Sequence, residues 1–206
     1  MSHLRADIRQ RCVDLVALYP QARSAMLPLL HLAQEQDGYL SDEGIAEVAE
    51  LTNTTPADVR GTASFYDMFH LEPVGKYVVS ICTNIACLLA GGEEMLEQVG
   101  ASLGCAVGGT SDDGLFTLEE AECLADCNYA PCVQVNHRYV RTTTIETFDA
   151  LVDQLRDGHL DNDVPAHGTL VRVRRSVGLR APRQEVIEQR ALARDSRAAR
   201  VAKEAE

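Results

Sequence analysis

The sequence predicts an α+β fold in three parts: an N-terminal helical bundle over residues 1–74, a small α/β domain over 75–160 and a basic extension over 161–206. Three observations predict it. Apolar residues recur at helical spacing, behind capping residues, through the first 70 positions. After Pro73 and Gly75 the pattern changes to short β-branched runs. The charge then changes sign: residues 1–170 carry 9 Lys/Arg and 26 Asp/Glu, whereas 171–206 carry 10 and 5.

The bundle reads as four helices. Cys12, Val13, Leu15, Val16 and Leu18 belong to the first, which Pro20 closes. Ser24 is placed to N-cap the second, with Met26, Leu27, Leu29, Leu30 and Ala33 apolar and Gly38 as its stop. Pro28 falls in the first turn, where it loses at most one hydrogen bond. Ser41 starts a third helix with Ile45, Val48, Ala49 and Thr52 on one face. Thr55-Pro56-Ala57-Asp58 opens a fourth with cap, proline and acid in their preferred order. Nothing in these helices resembles a catalytic constellation, so they read as packing and docking surface.

The second domain opens on the strand Lys76–Cys82 (KYVVSIC). Residues 91–99 form a helix, and a glycine-rich loop follows near Gly108-Gly109. Leu115–Glu119 forms a short strand. Val133–Val135 and Tyr139–Arg141 make a hairpin around Asn136-His137-Arg138. Thr144 caps a final helix, with Ile145, Phe148, Leu151, Val152 and Leu155 on one face and Gly158 at its end. The order β-α-β-β-α is that of a small thioredoxin-like sheet.

Composition bounds the function. At 206 residues and 46% hydrophobic the chain can build a sizeable core. It has no apolar run of about 18 residues, which predicts no transmembrane helix. Its first residues contain no apolar signal segment, which predicts that it is not exported. The acidic body argues against nucleic acid, because phosphate binding needs a basic footprint. The basic tail suits either a solvated extension or docking on an acidic partner or RNA.

Four cysteines carry the chemical message. Cys82 and Cys87 are spaced C-x4-C, Cys123 and Cys127 C-x3-C, and the first pair begins at the end of a strand. Two loops at one end of a sheet can bring four sulfurs together, and four thiolates are the usual ligands of an iron–sulfur cluster. With two sulfides and two ferric ions they leave a net charge of roughly −2, and reduction makes it about −3. Backbone N–H dipoles must offset that charge. Thr83, Asn84, Ala86 and Ala125 are small or polar enough for close backbone approach. A structural zinc site would show tighter C-x2-C knuckles, and a dithiol redox centre would show C-x-x-C. Zinc and scattered buried thiols stay open on spacing alone. Cys12 and Cys105 read as packing. Cys132, after Pro131, repeats the x4 spacing from Cys127. It could therefore replace that residue, but reads better as a buried thiol at the start of the hairpin.

Three stretches carry a resemblance: Tyr77–Cys87 (YVVSICTNIAC), Phe116–Cys127 (FTLEEAECLADC) and Ala130–Asn136 (APCVQVN). With LPLLHLAQEQDGY, SFYDMF and PVGKY in the helical part, they resemble the thioredoxin-like 2Fe–2S ferredoxin subunit, the E chain, of NADH–quinone oxidoreductase (respiratory complex I). The resemblance covers roughly residues 15–160. Related subunits occur in NAD-linked hydrogenases and formate dehydrogenases. It implies that Cys82, Cys87, Cys123 and Cys127 hold one 2Fe–2S cluster, which takes an electron from the flavin of a partner subunit. FMN and NADH would bind only that partner, since this chain has no G-x-G-x-x-G turn and no P-loop. Further iron–sulfur subunits would complete the complex, and the N-terminal helices would dock on the flavin subunit. The chain would sit in the cytoplasm, held to the inner face of the membrane only through the complex.

Two positions depart from the family pattern. Ala125 stands where many members have glycine, at a cost on the order of 1 kcal/mol if that residue must be left-handed. Asp126 puts a negative charge beside an anionic cluster, which lowers the reduction potential unless the charge is solvated or compensated.

Overall fold

Ile8 and Cys12, four residues apart, bury one stripe of helix α1 (Ala6–Val16), and Leu4, just before the helix, is buried with them. The structure is a computed structural model and describes residues 2–141, 144–161, 163–164 and 166–167. By its internal contacts the chain divides into residues 1–171 and 172–206. The predicted basic extension therefore lies outside the described residues, except for its first few positions.

Of the apolar residues predicted for the first helix, Cys12 is buried and Leu15 and Val16 are half-buried. Val13 and Leu18 are exposed, and the helix ends at Val16, before the turn that precedes Pro20. Ser24 does not cap the second helix either. Its N–H already bonds to Gln21 O (3.0 Å), so it sits inside a 3-10 turn, Ala22–Ala25, that leads into α2 (Met26–Asp37). Gly38 ends α2 in the left-handed conformation (φ 82°), as its place after the apolar run predicts. Helix α3 (Asp42–Thr52) is capped by Ser41, whose hydroxyl accepts from Gly44 N–H at 3.1 Å. Helix α4 (Pro56–Phe65) begins with the full Thr55/Asp58 capping box. The four helices close on a core of Leu29, Leu30, Leu32, Ile45, Val48 and Val59.

The sheet has the order β2-β1-β3-β4. Strand β1 (Tyr77–Cys82) is buried along its length. It pairs parallel with β2 (Phe116–Ala121) and antiparallel with β3 (Val133–Val135), which turns back as β4 (Arg138–Val140). A short helix, α5 (Ile85–Leu89), follows β1 directly. A parallel pair needs a crossover, and α6 (Gly92–Leu103) supplies it. Helix α7 (Ile145–Arg156) packs beside α6, capped by Thr144.

Period-two alternation assigns the two faces. Tyr77, Val79 and Ile81 join Phe116, Leu118 and Phe148 in a second core beneath α6 and α7. The opposite face carries Ser80, Glu119 and Gln134, which line a polar cleft with Asp67, Cys123 and His137. The hairpin turn needs two left-handed residues, and Asn136 (φ 47°) and His137 (φ 61°) provide them. Asn136 holds the turn to β1: its Oδ1 accepts from Val78 N–H at 2.7 Å and its Nδ2 donates to Lys76 O at 3.0 Å.

Candidate metal centre

Cys82 is the last residue of β1, and Cys132 lies directly across from it, one step before β3. The Cys82 N–H donates to Cys132 O at 3.0 Å, the last rung of the antiparallel ladder. Paired residues on adjacent strands share a face, so both side chains leave the sheet end on one side. There the Cys132 N–H turns to a sulfur, donating to Cys87 Sγ at 3.4 Å. Cys87 reaches this point from α5, which the Asn84 side chain caps. The sequence predicts an open loop at Cys87 instead. Five residues are too few to show a helical period, so α5 leaves no trace in the pattern.

Cys82, Cys87 and Cys132 thus form one buried cluster, with Leu124 and Ala130 against it. The Cys87 thiol contacts the thiols of both others, and burial pushes it up to about 12. Burial raises the Cys132 thiol as well. A metal that binds here must therefore displace protons from thiols rather than find thiolates waiting.

Cys123 and Cys127 follow β2, on the connection to β3. Both are exposed, and among the described residues no three His, Cys, Asp or Glu side chains are arranged as a ready metal cage. Of the four sequence-predicted ligands, the structure gathers two. The loop that bears the other two is nevertheless fastened to the buried thiols. Cys82 Sγ contacts Glu122 O at 3.5 Å, and the Cys132 thiol donates to Asp126 O at 2.8 Å. Each of these carbonyls belongs to the residue just before an exposed cysteine. The Tyr139 hydroxyl donates to Leu124 O and pins the loop from β4.

Two further residues shape the site. Gly92, the first residue of α6, lets that helix abut the backbones of both Cys82 and Cys87. A Cβ there would stand 2.7 Å from Cys82 O and 2.8 Å from Cys87 O. Arg141 sits 3.4 Å from the Asp126 carboxylate and stacks on the Tyr129 ring, 3.4 Å from its centroid. Asp126 is thus compensated rather than left beside the site as a bare charge. Neither residue's role is readable from the sequence; the Gly91-Gly92 pair at the helix start is the one visible signal.

Ala125 is left-handed, at φ 59°. Its Cβ is strained there, so Ala125→Gly is expected to raise stability by up to about 1 kcal/mol, a Tm gain of roughly 2–4 °C. Thermal unfolding by circular dichroism checks this; an unchanged or lower Tm contradicts it.

On the polar face of the sheet His70 Nδ1 lies 3.5 Å from Glu119 Oε1. Burial lowers the histidine to about 4, with His137 and His167 adding to it, and burial raises the Glu119 carboxyl. The contact is therefore not a full ion pair. Cys12 is buried in the helical core, and Cys105 is half-buried against the second core.

The comparisons with known proteins agree with this architecture. Residues 13–156 match the family model of the thioredoxin-like [2Fe-2S] ferredoxins. The E chain of the Mycobacterium tuberculosis NADH-quinone oxidoreductase is 41% identical over 143 residues, covering 69% of this chain and 57% of the relative. The chain therefore spans a little over half the length of that relative. Subunit 2 of the Thermus thermophilus NADH-quinone oxidoreductase is 41% identical over 148 residues, covering 70% and 82%. An E chain of the Rhizobium meliloti NADH-quinone oxidoreductase is 36% identical over 149 residues, covering 72% and 89%. Among solved structures, an air-oxidized NAD+-reducing [NiFe]-hydrogenase superposes with a TM-score of 0.58 at 22% identity, covering 65% of this chain and 23% of that one; it shows the fold alone. With its sheet order, its buried cysteine pair and a family match over more than half its length, the chain belongs to the thioredoxin-like [2Fe-2S] ferredoxin family.

Proposed function

We propose that this chain is the electron-transfer subunit that binds one 2Fe–2S cluster in the NADH dehydrogenase module of an NADH–quinone oxidoreductase. Its ligands are Cys82, Cys87, Cys123 and Cys127. The observation that carries the reading is the meeting of Cys82 and Cys87 at the sheet end, with the loop of Cys123 and Cys127 tied to that point at Glu122 and Asp126. The donor set fits the group: soft sulfur donors, a backbone N–H already aimed at one of them, and a glycine that keeps the surrounding backbone close. When bound, the cluster supplies a one-electron acceptor. The relatives named as subunits of NADH-quinone oxidoreductase, at 36–41% identity, favour that complex over a hydrogenase or formate dehydrogenase.

The chain's own part is to hold the site and to find its partner. Cys132 N–H offsets negative charge on Cys87. Arg141 offsets Asp126. The helical bundle, residues 1–74, is the docking element for the flavin- and NADH-binding subunit, and residues 75–160 are the ferredoxin domain. Phe65 on α4 (81% exposed) and Leu89 on α5 (83% exposed) are the most exposed of the large apolar side chains among the described residues, and a partner would cover them. Among the described residues no helix is long and apolar enough to cross a membrane. We place the chain at the inner face of the membrane through the complex, whose other iron–sulfur subunits carry electrons onward to quinone.

The test combines this chain with its flavin subunit. NADH should bleach the visible absorption of the iron–sulfur chain only when that subunit is present; no bleaching in the assembled pair would overturn the reading. Charge compensation is tested separately. Arg141→Gln leaves Asp126 uncompensated and disfavours the more negative reduced state, so the midpoint potential should fall by on the order of tens of millivolts. Potentiometric titration followed by EPR measures it, and a rise contradicts the compensating role.

A further inference from the structure

We propose that Cys132 is a reserve ligand of the cluster, able to take the place of Cys127. The inference rests on the proposed cluster function and concerns a cysteine that the four-ligand assignment leaves unused. Spacing singles Cys132 out, since it stands five residues after Cys127, as Cys87 stands five after Cys82. The structure adds three observations. Cys132 is buried in the same cluster as Cys82 and Cys87, whereas Cys127 is exposed. It lies across the ladder from Cys82, on the same side of the sheet end, with the Cys82 N–H bonded to its carbonyl at 3.0 Å. Its thiol donates to the carbonyl of Asp126, the residue that precedes Cys127, at 2.8 Å. The sulfur of Cys132 is therefore next to the backbone that carries the ligand it would replace.

A buried thiol can serve as a small hydrophobe and nothing more. Here the sulfur keeps company with two predicted ligands and is tied to the loop of a third. With Cys127 replaced by alanine, Cys132 would give up its proton to water and its sulfur would take the iron position that residue 127 no longer fills. One iron–sulfur bond forms where another is missing, and no oxidation state changes. A cluster built this way would differ in the geometry of one ligand, and its EPR g values would shift.

The experiment compares the full-length parent with Cys132→Ala, Cys127→Ala and the double variant, reading iron, acid-labile sulfide and the EPR spectrum of the dithionite-reduced protein. Cys132→Ala, which loses the tie to Asp126 O, sets how far cluster content falls while Cys127 is present, and the double variant must fall well beyond it. Cys127→Ala should keep cluster content within about two-fold of the parent, with altered g values, while the double variant falls roughly ten-fold or more. Equal content in Cys127→Ala and the double variant, whether both low or both high, overturns the reserve role. A parent with no acid-labile sulfide overturns the cluster assignment itself, and the reserve role with it. Circular dichroism of the four proteins separates ligand loss from misfolding. If Cys127→Ala fails to fold, Cys127→Ser, which retains a hydroxyl at that position, is scored by the same g-value shift and its dependence on Cys132.

Discussion

Cys87→Ser is expected to lower bound iron and acid-labile sulfide by at least about ten-fold. Cys87 is the sulfur on which the site converges. It touches both other buried thiols and accepts the Cys132 N–H. Serine preserves the volume of α5 but offers a harder oxygen donor, poorly matched to iron in a thiolate set. The fold should survive, because Cys87 belongs to the small sheet-end cluster and to neither large core. Cys105→Ser is the matched control. Cys105 is a half-buried thiol against the core of the same domain, and its replacement should leave iron and sulfide at the parent level. Iron and sulfide analysis of the two variants decides the point. A full cluster in Cys87→Ser contradicts the ligand assignment.

Gly92→Ala should damage both the fold and the site although Gly92 is not itself a ligand. A Cβ at this position would lie 2.7 Å from Cys82 O, 2.8 Å from Cys87 O and 3.0 Å from Cys87 C. All three are backbone atoms, so no side chain can swing aside. Either α6 must move away from the sheet end or the segments that carry Cys82 and Cys87 must part. Overpacking of this kind costs about 2–3 kcal/mol, equivalent to a fall in Tm of roughly 4–12 °C for a chain of this size. Cluster content should fall as well, since the displaced atoms belong to two ligands. Gly61→Ala is the control: Gly61 lies in α4 with nothing within 4 Å of its Cβ position, so alanine should be neutral or slightly stabilising. Thermal unfolding of both variants checks the contrast. Equal Tm values for Gly92→Ala and the parent contradict the close approach.

Part of this architecture is legible in the sequence because local chemistry decides it. The β-branched run of β1, the Thr55/Asp58 and Thr144 caps and the left-handed Gly38 depend on neighbouring residues alone. The strain at Ala125 is legible for the same reason, as one residue in place of a family glycine. What stays hidden depends on residues far apart in sequence. The pairing of Cys132 with Cys82 is a matter of strand register, which spacing cannot show. Arg141 reaches Asp126 across a hairpin. The first helix buries Ile8 and Cys12 and leaves Val13 exposed, since the packing of α2 and α3 chooses the stripe. Ser24 does not act as a cap because the chain has already begun to turn at Gln21.

The site shows the same division. Residue type and spacing point to four thiolates, and the structure brings Cys82 and Cys87 together while leaving Cys123 and Cys127 exposed on a loop bound to the same point. The most direct measurement is the iron and acid-labile sulfide content of the full chain, with the EPR spectrum after dithionite reduction. About two irons and two sulfides per chain are expected, with an axial signal from one reduced binuclear cluster. One tightly bound zinc with no labile sulfide would contradict it.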